Sequence, residues 1–260
     1  MASIHHYQTM KSWFTSYSQS FLTSDLGFNR NIQLKIDHTM RVIAAIEDIA
    51  SHLKISPNDV ELSRIIALFH DLGRFQQFFE YNTFADRKSV NHAHLAVNIL
   101  QKKDILAILP PNEQILILSA INYHNVAHVP LELSDQEIFF TKLIRDADKI
   151  DIYKVVCDHY QNPDPIFANT IELGLPNSQI ISDKVFTSIM NDQLVKHEDI
   201  VSVTDFKILQ LAWVFDLNFP RSFEIIKERR YIEILNQTLP QTEKMAKIYE
   251  KVKNYLINRS

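Results

Sequence analysis

At 260 residues, with 46% apolar and 22% charged side chains, the chain is long enough to close a sizeable core and too apolar to be disordered. A net charge of −4 excludes a surface built to coat nucleic acid, which needs a dense Lys/Arg stripe, but leaves room for a local basic pocket. The lone Cys157 excludes an internal disulfide, residues 1–6 lack a basic-apolar leader, and no window approaches the ~20 apolar residues that span a bilayer; the expectation is a soluble, cytoplasmic protein.

Only three glycines are present, and apolar residues recur at spacings of three and four, which predicts an all-helical fold and excludes a Gly-rich phosphate loop. A first helix is expected over 5–24, closing near Gly27. A second, over 31–54, carries two apolar stripes; His38 lies inside the one formed by Leu34, Val42, Ala45 and Ile49. Ser56, Pro57 and Asp59 mark a third helix, with Ser56 as its N-cap. It runs into His70-Asp71, and Gly73 reads as its left-handed C-cap. An aromatic segment over 75–84 separates it from a helix capped by Ser89 and running to about Lys102. Pro110-Pro111 break the chain before a helix over 112–124, and Ser134 opens another that passes Tyr153. The Pro- and Gly-bearing stretch 161–177 is expected to be irregular, as a lid or linker. Helices near 183–198, 203–214, 219–238 and 240–258 complete a single all-helical domain over 1–260.

The chemistry lies in ionisable residues set on apolar helix faces. His70-Asp71 ends the run Ile65-Ile66-Ala67-Leu68-Phe69. Burying that pair uncompensated costs several kcal/mol, whereas a divalent cation compensates both partners. Taken alone, His38 on an apolar helix face reads more readily as a hydrogen-bonded core histidine than as a ligand. His92 aligns with Leu95, Ala96 and Ile99 and faces inward; His94 aligns with Asn98 and Gln101 and faces solvent or the mouth of a site. His124 follows Ile117, Ala120 and Ile121 inward. Asp146 and Asp148 border opposite edges of one apolar face and Asp151 lies within it, so spacing alone does not choose a ligand among them. Arg145 and Lys149 read as helix-surface charges or as phosphate contacts.

The ordered set His38 (in Asp37-His38-Thr39-Met40-Arg41-Val42), His70-Asp71-Leu72-Gly73-Arg74 and Ala147-Asp148-Lys149-Ile150 resembles the HD superfamily of metal-dependent phosphohydrolases over about residues 31–155. The resemblance implies an all-α, HD-domain-like helical bundle with additional C-terminal helices, those of 178–260 packed as an extension on the 31–155 core. It implies a first ion held by His38, His70, Asp71 and Asp148, the family's last motif selecting Asp148 over Asp146. Segments 91–100 and 120–124 are similar to those that supply second-ion histidines in binuclear members, which points to His92 and His124. Asn125 departs from the His-His pair of the cyclic-di-GMP phosphodiesterase branch, and no Gly-Tyr-Pro follows. The run over 73–92 is similar to a bacterial subgroup of the superfamily.

The implied activity is hydrolysis of a phosphoester, of a nucleotide or related small phosphorylated metabolite, by metal-activated water. The cofactor is one or two divalent ions from among Mn, Fe, Co, Ni, Zn and Mg, with Asp71 bridging two and Lys149, Arg74 and Arg41 near substrate oxygens. Two alternatives accompany this reading: a non-hydrolytic metal- and nucleotide-binding regulatory protein, and a di-iron oxygenase of the same fold. The expected partner is a small phosphorylated substrate, with no membrane and no extended nucleic-acid surface, and exposed aromatics near 75–81 leave room for a homodimer.

Overall fold

The helix starts are written in local chemistry. In the computed structural model, which describes residues 3–193 and 195–259, α1 (Ser3–Gln19) is followed by α2 (Leu26–Leu53), whose N-cap Asp25 accepts hydrogen bonds from Gly27 N and Phe28 N. Gly27 therefore lies in the first turn of α2 and does not close α1, and the expected boundary moves because a capping carboxylate two residues upstream satisfies the free amides. Ser56 caps α3 (Pro57–Phe69) as expected, accepting from Asp59 N at 3.1 Å with Pro57 in the first turn.

Gly73 is not a left-handed C-cap. The positive-φ glycine among the described residues is Gly174, and the chain stays in the right-handed helical region through His70 and Leu72 before α4 (Gly73–Tyr81) begins. The aromatic segment is thus mostly helix. α5 (His92–Lys102) is capped by Asn91, which accepts from Ala93 N and His94 N; Ser89, the expected cap, instead donates to Ala85 O from the irregular strap 82–91. α6 spans Pro111–Tyr123, and α7 spans Asp135–Gln161 behind a reciprocal Ser134/Glu137 capping box.

The chain divides within α7 into two compact units, Met1–Asp151 and Ile152–Ser260. In the first, α2 packs on α3, α1 on α3, α3 on α6, and α5 on both α4 and α6. Ile32, Val42, Ile46, Ile65, Leu68, Phe69, Phe75, Ile117, Ile121, Phe140 and Leu143 are buried where these faces meet. Each such side chain contributes about 1.5–3 kcal/mol relative to its exposed form. Trp13 and Phe14 of α1 close one side through edge contacts with Phe69 and Phe75.

The second unit holds the end of α7 and α8 (Pro165–Glu172), α9 (Asp183–Met190), α10 (Val203–Ala212), α11 (Pro220–Glu228), α12 (Tyr231–Gln237) and α13 (Glu243–Arg259). The stretch expected to be wholly irregular therefore contains α8, started by Asp164 and Pro165. The single helix expected over 219–238 is broken at Arg230, which adopts φ 56°, and Tyr231 then stacks on Tyr153 at 5.8 Å. Burying that aromatic pair outweighs the roughly 1–2 kcal/mol of a left-handed non-glycine residue. No strand occurs among the described residues, and none of their helices is long and apolar enough to cross a membrane.

Candidate metal centre

Five elements of the first unit deliver ionisable side chains to one buried point. α2 supplies His38. The bend between α3 and α4 supplies His70 and Asp71, because right-handed backbone continued past Phe69 turns two consecutive side chains inward. His92 is the first residue of α5, His124 the C-cap of α6, and Asp148 comes from the middle of α7.

Gly73 is what lets α5 approach. A Cβ there would lie 2.2 Å from His92 O and 2.9 Å from Ala96 N, so the backbones of α4 and α5 touch only because this residue has no side chain. That contact brings His92 to Asp71.

Two clusters share Asp71. In the first, His38 Nε2 lies 3.3 Å from His70 Nε2, 3.1 Å from Asp148 Oδ1 and 3.5 Å from Asp71 Oδ2. In the second, His92 Nε2 lies 3.1 Å from His124 Nε2 and 3.3 Å from Asp71 Oδ1. Asp71 thus turns one oxygen toward each. His38, His70, Asp71, His92 and His124 are all at most 4% exposed, and the ligand atoms of His38/His70/Asp71 and of Asp71/His92/His124 each fall within 4.8 Å of one another. On α7, Asp148 Oδ1 lies 3.1 Å from His38 Nε2 and 3.6 Å from His70 Nε2, while Asp151 reaches the outer ring nitrogen of His38.

The tautomers follow from the outer ring nitrogens. His38 Nδ1 meets Asp151 Oδ2 at 2.6 Å, His70 Nδ1 meets Ala67 O at 2.8 Å, His92 Nδ1 meets Asp86 Oδ2 at 2.8 Å and His124 Nδ1 meets Ile121 O at 2.7 Å. Carboxylates and carbonyls only accept, so every Nδ1 carries a proton and donates it. In the neutral rings, four Nε2 lone pairs and the carboxylate oxygens then converge with no donor among them. Acceptors facing acceptors in a buried site repel, and a cation is what such a donor set fits.

Inside the chain, part of this excess is balanced by Lys35, whose Nζ lies 2.8 Å from Asp71 Oδ2 and 5.3 Å from the centre of the Phe84 ring. Burial pushes the Asp71 carboxyl up, but Lys35, His70, Arg74 and His92 outweigh it and hold it well below the usual carboxylate range. Asp148 is likewise held down, against burial, by the neighbouring His38 and His70. Burial and the neighbouring His92 and His70 lower His124 to about 3. Burial and the Arg74 guanidinium lower His92, against Asp86. Burial and Lys35 oppose charge on His38, yet Asp148 and Asp151 prevail and raise it. Ionised carboxylates and neutral His92 and His124 are the forms that bind metal.

Of the cations expected near substrate, Arg74 turns to Asp86 at 2.8 Å, Gln77 Oε1 at 2.9 Å and Phe84 O at 2.5 Å, with Nε 3.4 Å from Asp71 Oδ1. Arg41 binds both oxygens of Asp151. Lys149 is half-buried one residue beyond Asp148. Arg145 is buried and donates to the carbonyls of His124 and Val126, which makes it a clamp on the end of α6. His94 and His128 are exposed.

Sequence reasoning missed Lys35 and Asp86. Lys35 is one helical turn before His38, a spacing that carries the signal. Asp86 lies in the strap, where no periodicity points inward.

A helical unit that converges imidazoles and carboxylates from separate helices defines a class of metal-site proteins. Residues 36–153 match the family model of the HD domain, a span that holds all six converging residues, and this segment belongs to the HD domain superfamily. No curated protein and no solved structure matches the chain.

Proposed function

We propose that this HD domain hydrolyses a phosphoester, of a nucleotide or related small phosphorylated metabolite, using two divalent ions. His38, His70, Asp148 and Asp71 would hold the first, and His92, His124 and the other oxygen of Asp71 the second. The observation that carries this reading is the convergence of four Nε2 atoms and the carboxylates in two clusters divided by one aspartate. Bound ions supply Lewis-acid polarisation of a phosphoryl oxygen and a more acidic water. Lys35 sits at the edge of the clusters with its side chain 17% exposed, and Lys149 follows Asp148; their ammonium groups are the cations offered to a substrate phosphate. Arg74 is assigned to holding Asp86 and the strap.

The test is hydrolysis of a generic phosphoester and a nucleotide panel under several divalent ions, with and without chelator, beside Asp71→Ala. Removing the shared carboxylate is expected to lower turnover by at least ~100-fold, more than loss of an outer partner does. Turnover that survives both chelation and Asp71→Ala eliminates the proposal. Retained metal without turnover on any phosphoester returns the site to a regulatory, ion-binding role.

A further inference from the structure

Each cluster contains one histidine oriented by helix backbone and one oriented by a carboxylate. His70 and His124 donate from Nδ1 to Ala67 O and Ile121 O, partners that no side-chain change removes. His38 and His92 donate to Asp151 and Asp86, and each of these carboxylates is held in turn by an arginine. Arg41 Nε and Nη2 reach Asp151 at 2.6 and 3.0 Å, and Arg74 Nη1 reaches Asp86 at 2.8 Å.

We infer that Arg41–Asp151–His38 and Arg74–Asp86–His92 are two separate relays, one for each ion, and that the Asp86 relay makes the ion at His92 and His124 the exchangeable one. The inference rests on the two-ion reading above.

The difference between the relays lies in what carries the carboxylate. Asp151 stands on α7 with its side chain 3% exposed. Asp86 stands in a single 3-10 turn, Asp86–Lys88, within the strap, and its side chain is 29% exposed. A few side-chain bonds fasten that strap: Gln77 Nε2 to Asp86 Oδ1, Ser89 Oγ and Val90 O, each 2.9 Å, and Arg74 Nη1 to Phe84 O. Asn125 Nδ2 adds a contact to Asp86 Oδ2 at 3.2 Å. An irregular segment held by side chains opens at lower free energy than the middle of a packed helix. Opening the strap removes the acceptor that fixes the His92 ring, so His92 loses its orientation while His38 keeps its own. Asp86 and Asp151 are therefore positioning residues, acting through the imidazoles they hold.

The experiment is metal content per chain after dialysis against graded chelator, for wild type, Asp86→Asn, Asp86→Glu and Asp151→Asn, with helix content followed by circular dichroism. Wild type is expected to release its two ions in separate steps. Asp86→Asn is expected to release one ion at about 10–100-fold less chelator and to keep the other as wild type does, with Asp86→Glu restoring much of the loss. Asp151→Asn is expected to weaken the opposite ion. Arg74→Gln, which leaves the Asp86 carboxylate in place, is the second variant and should weaken the same ion as Asp86→Asn, to a smaller extent. Wild type that takes up no ion refutes the metal-centre reading and the relays with it. Wild type with two ions beside folded Asp86→Asn that keeps both at wild-type affinity, or loses both together, refutes the relays alone. A single ion at saturation in wild type overturns the inference as well.

Discussion

Gly73→Ala adds one methyl group where α4 begins against α5. The new Cβ would stand 2.2 Å from His92 O and 2.9 Å from Ala96 N, both backbone atoms that no rotamer change moves. Restoring ordinary contact, about 3.5–4 Å between non-bonded heavy atoms, requires the two helices to part by more than about 1 Å. Overpacking of this kind costs about 1–3 kcal/mol, and the upper end is expected because the obstruction is main chain on both sides. Helix propensity predicts the opposite sign, a gain of about 0.8–1 kcal/mol for alanine over glycine in a helix. Urea denaturation in excess chelator separates the two, since it reads packing without any contribution from bound ions. The shift also draws His92 away from Asp71 Oδ1, 3.3 Å distant, so the variant should take up fewer ions per folded chain than wild type. Gly73→Ala as stable as wild type, or more so, refutes the close-approach role of this glycine.

Two further predictions concern protonation. His38 is raised above its ordinary value of 6.5, so in the ion-free chain its contribution to stability is full below pH 6.5 and is lost as pH rises through the raised value. A metal needs the neutral ring, so below the raised value ion binding should release a proton from this residue, and affinity should rise with pH. Calorimetry in two buffers of different ionisation enthalpy measures the release; an apparent enthalpy that does not depend on buffer refutes it. Cys157 is 1% exposed, and burial together with Asp158, against Lys154, pushes its thiol up to about 12. A thiol reagent at pH 8 should therefore leave the native chain unlabelled and label it fully once denatured; rapid labelling of the native chain contradicts that.

The helical character, the Ser56 start of α3 and the inward faces of His92 and His124 could be read from the amino-acid order, because periodicity and capping act over a few residues. So could the ordered motif around His38, His70-Asp71 and Asp148. Two local signals misled for one reason. Gly73 and Ser89 have the chemistry of a C-cap and an N-cap, but Gly73 is needed for a helix that arrives from elsewhere, and Ser89 is engaged by Gln77. That Asp71 splits its oxygens between two clusters, and that Asp86 and Lys35 reach them, were decided by packing alone. Distances between side chains on separate elements, such as Lys35 and Asp71, 36 positions apart, depend on how whole helices dock, and the side-chain pattern of any one helix does not contain that information.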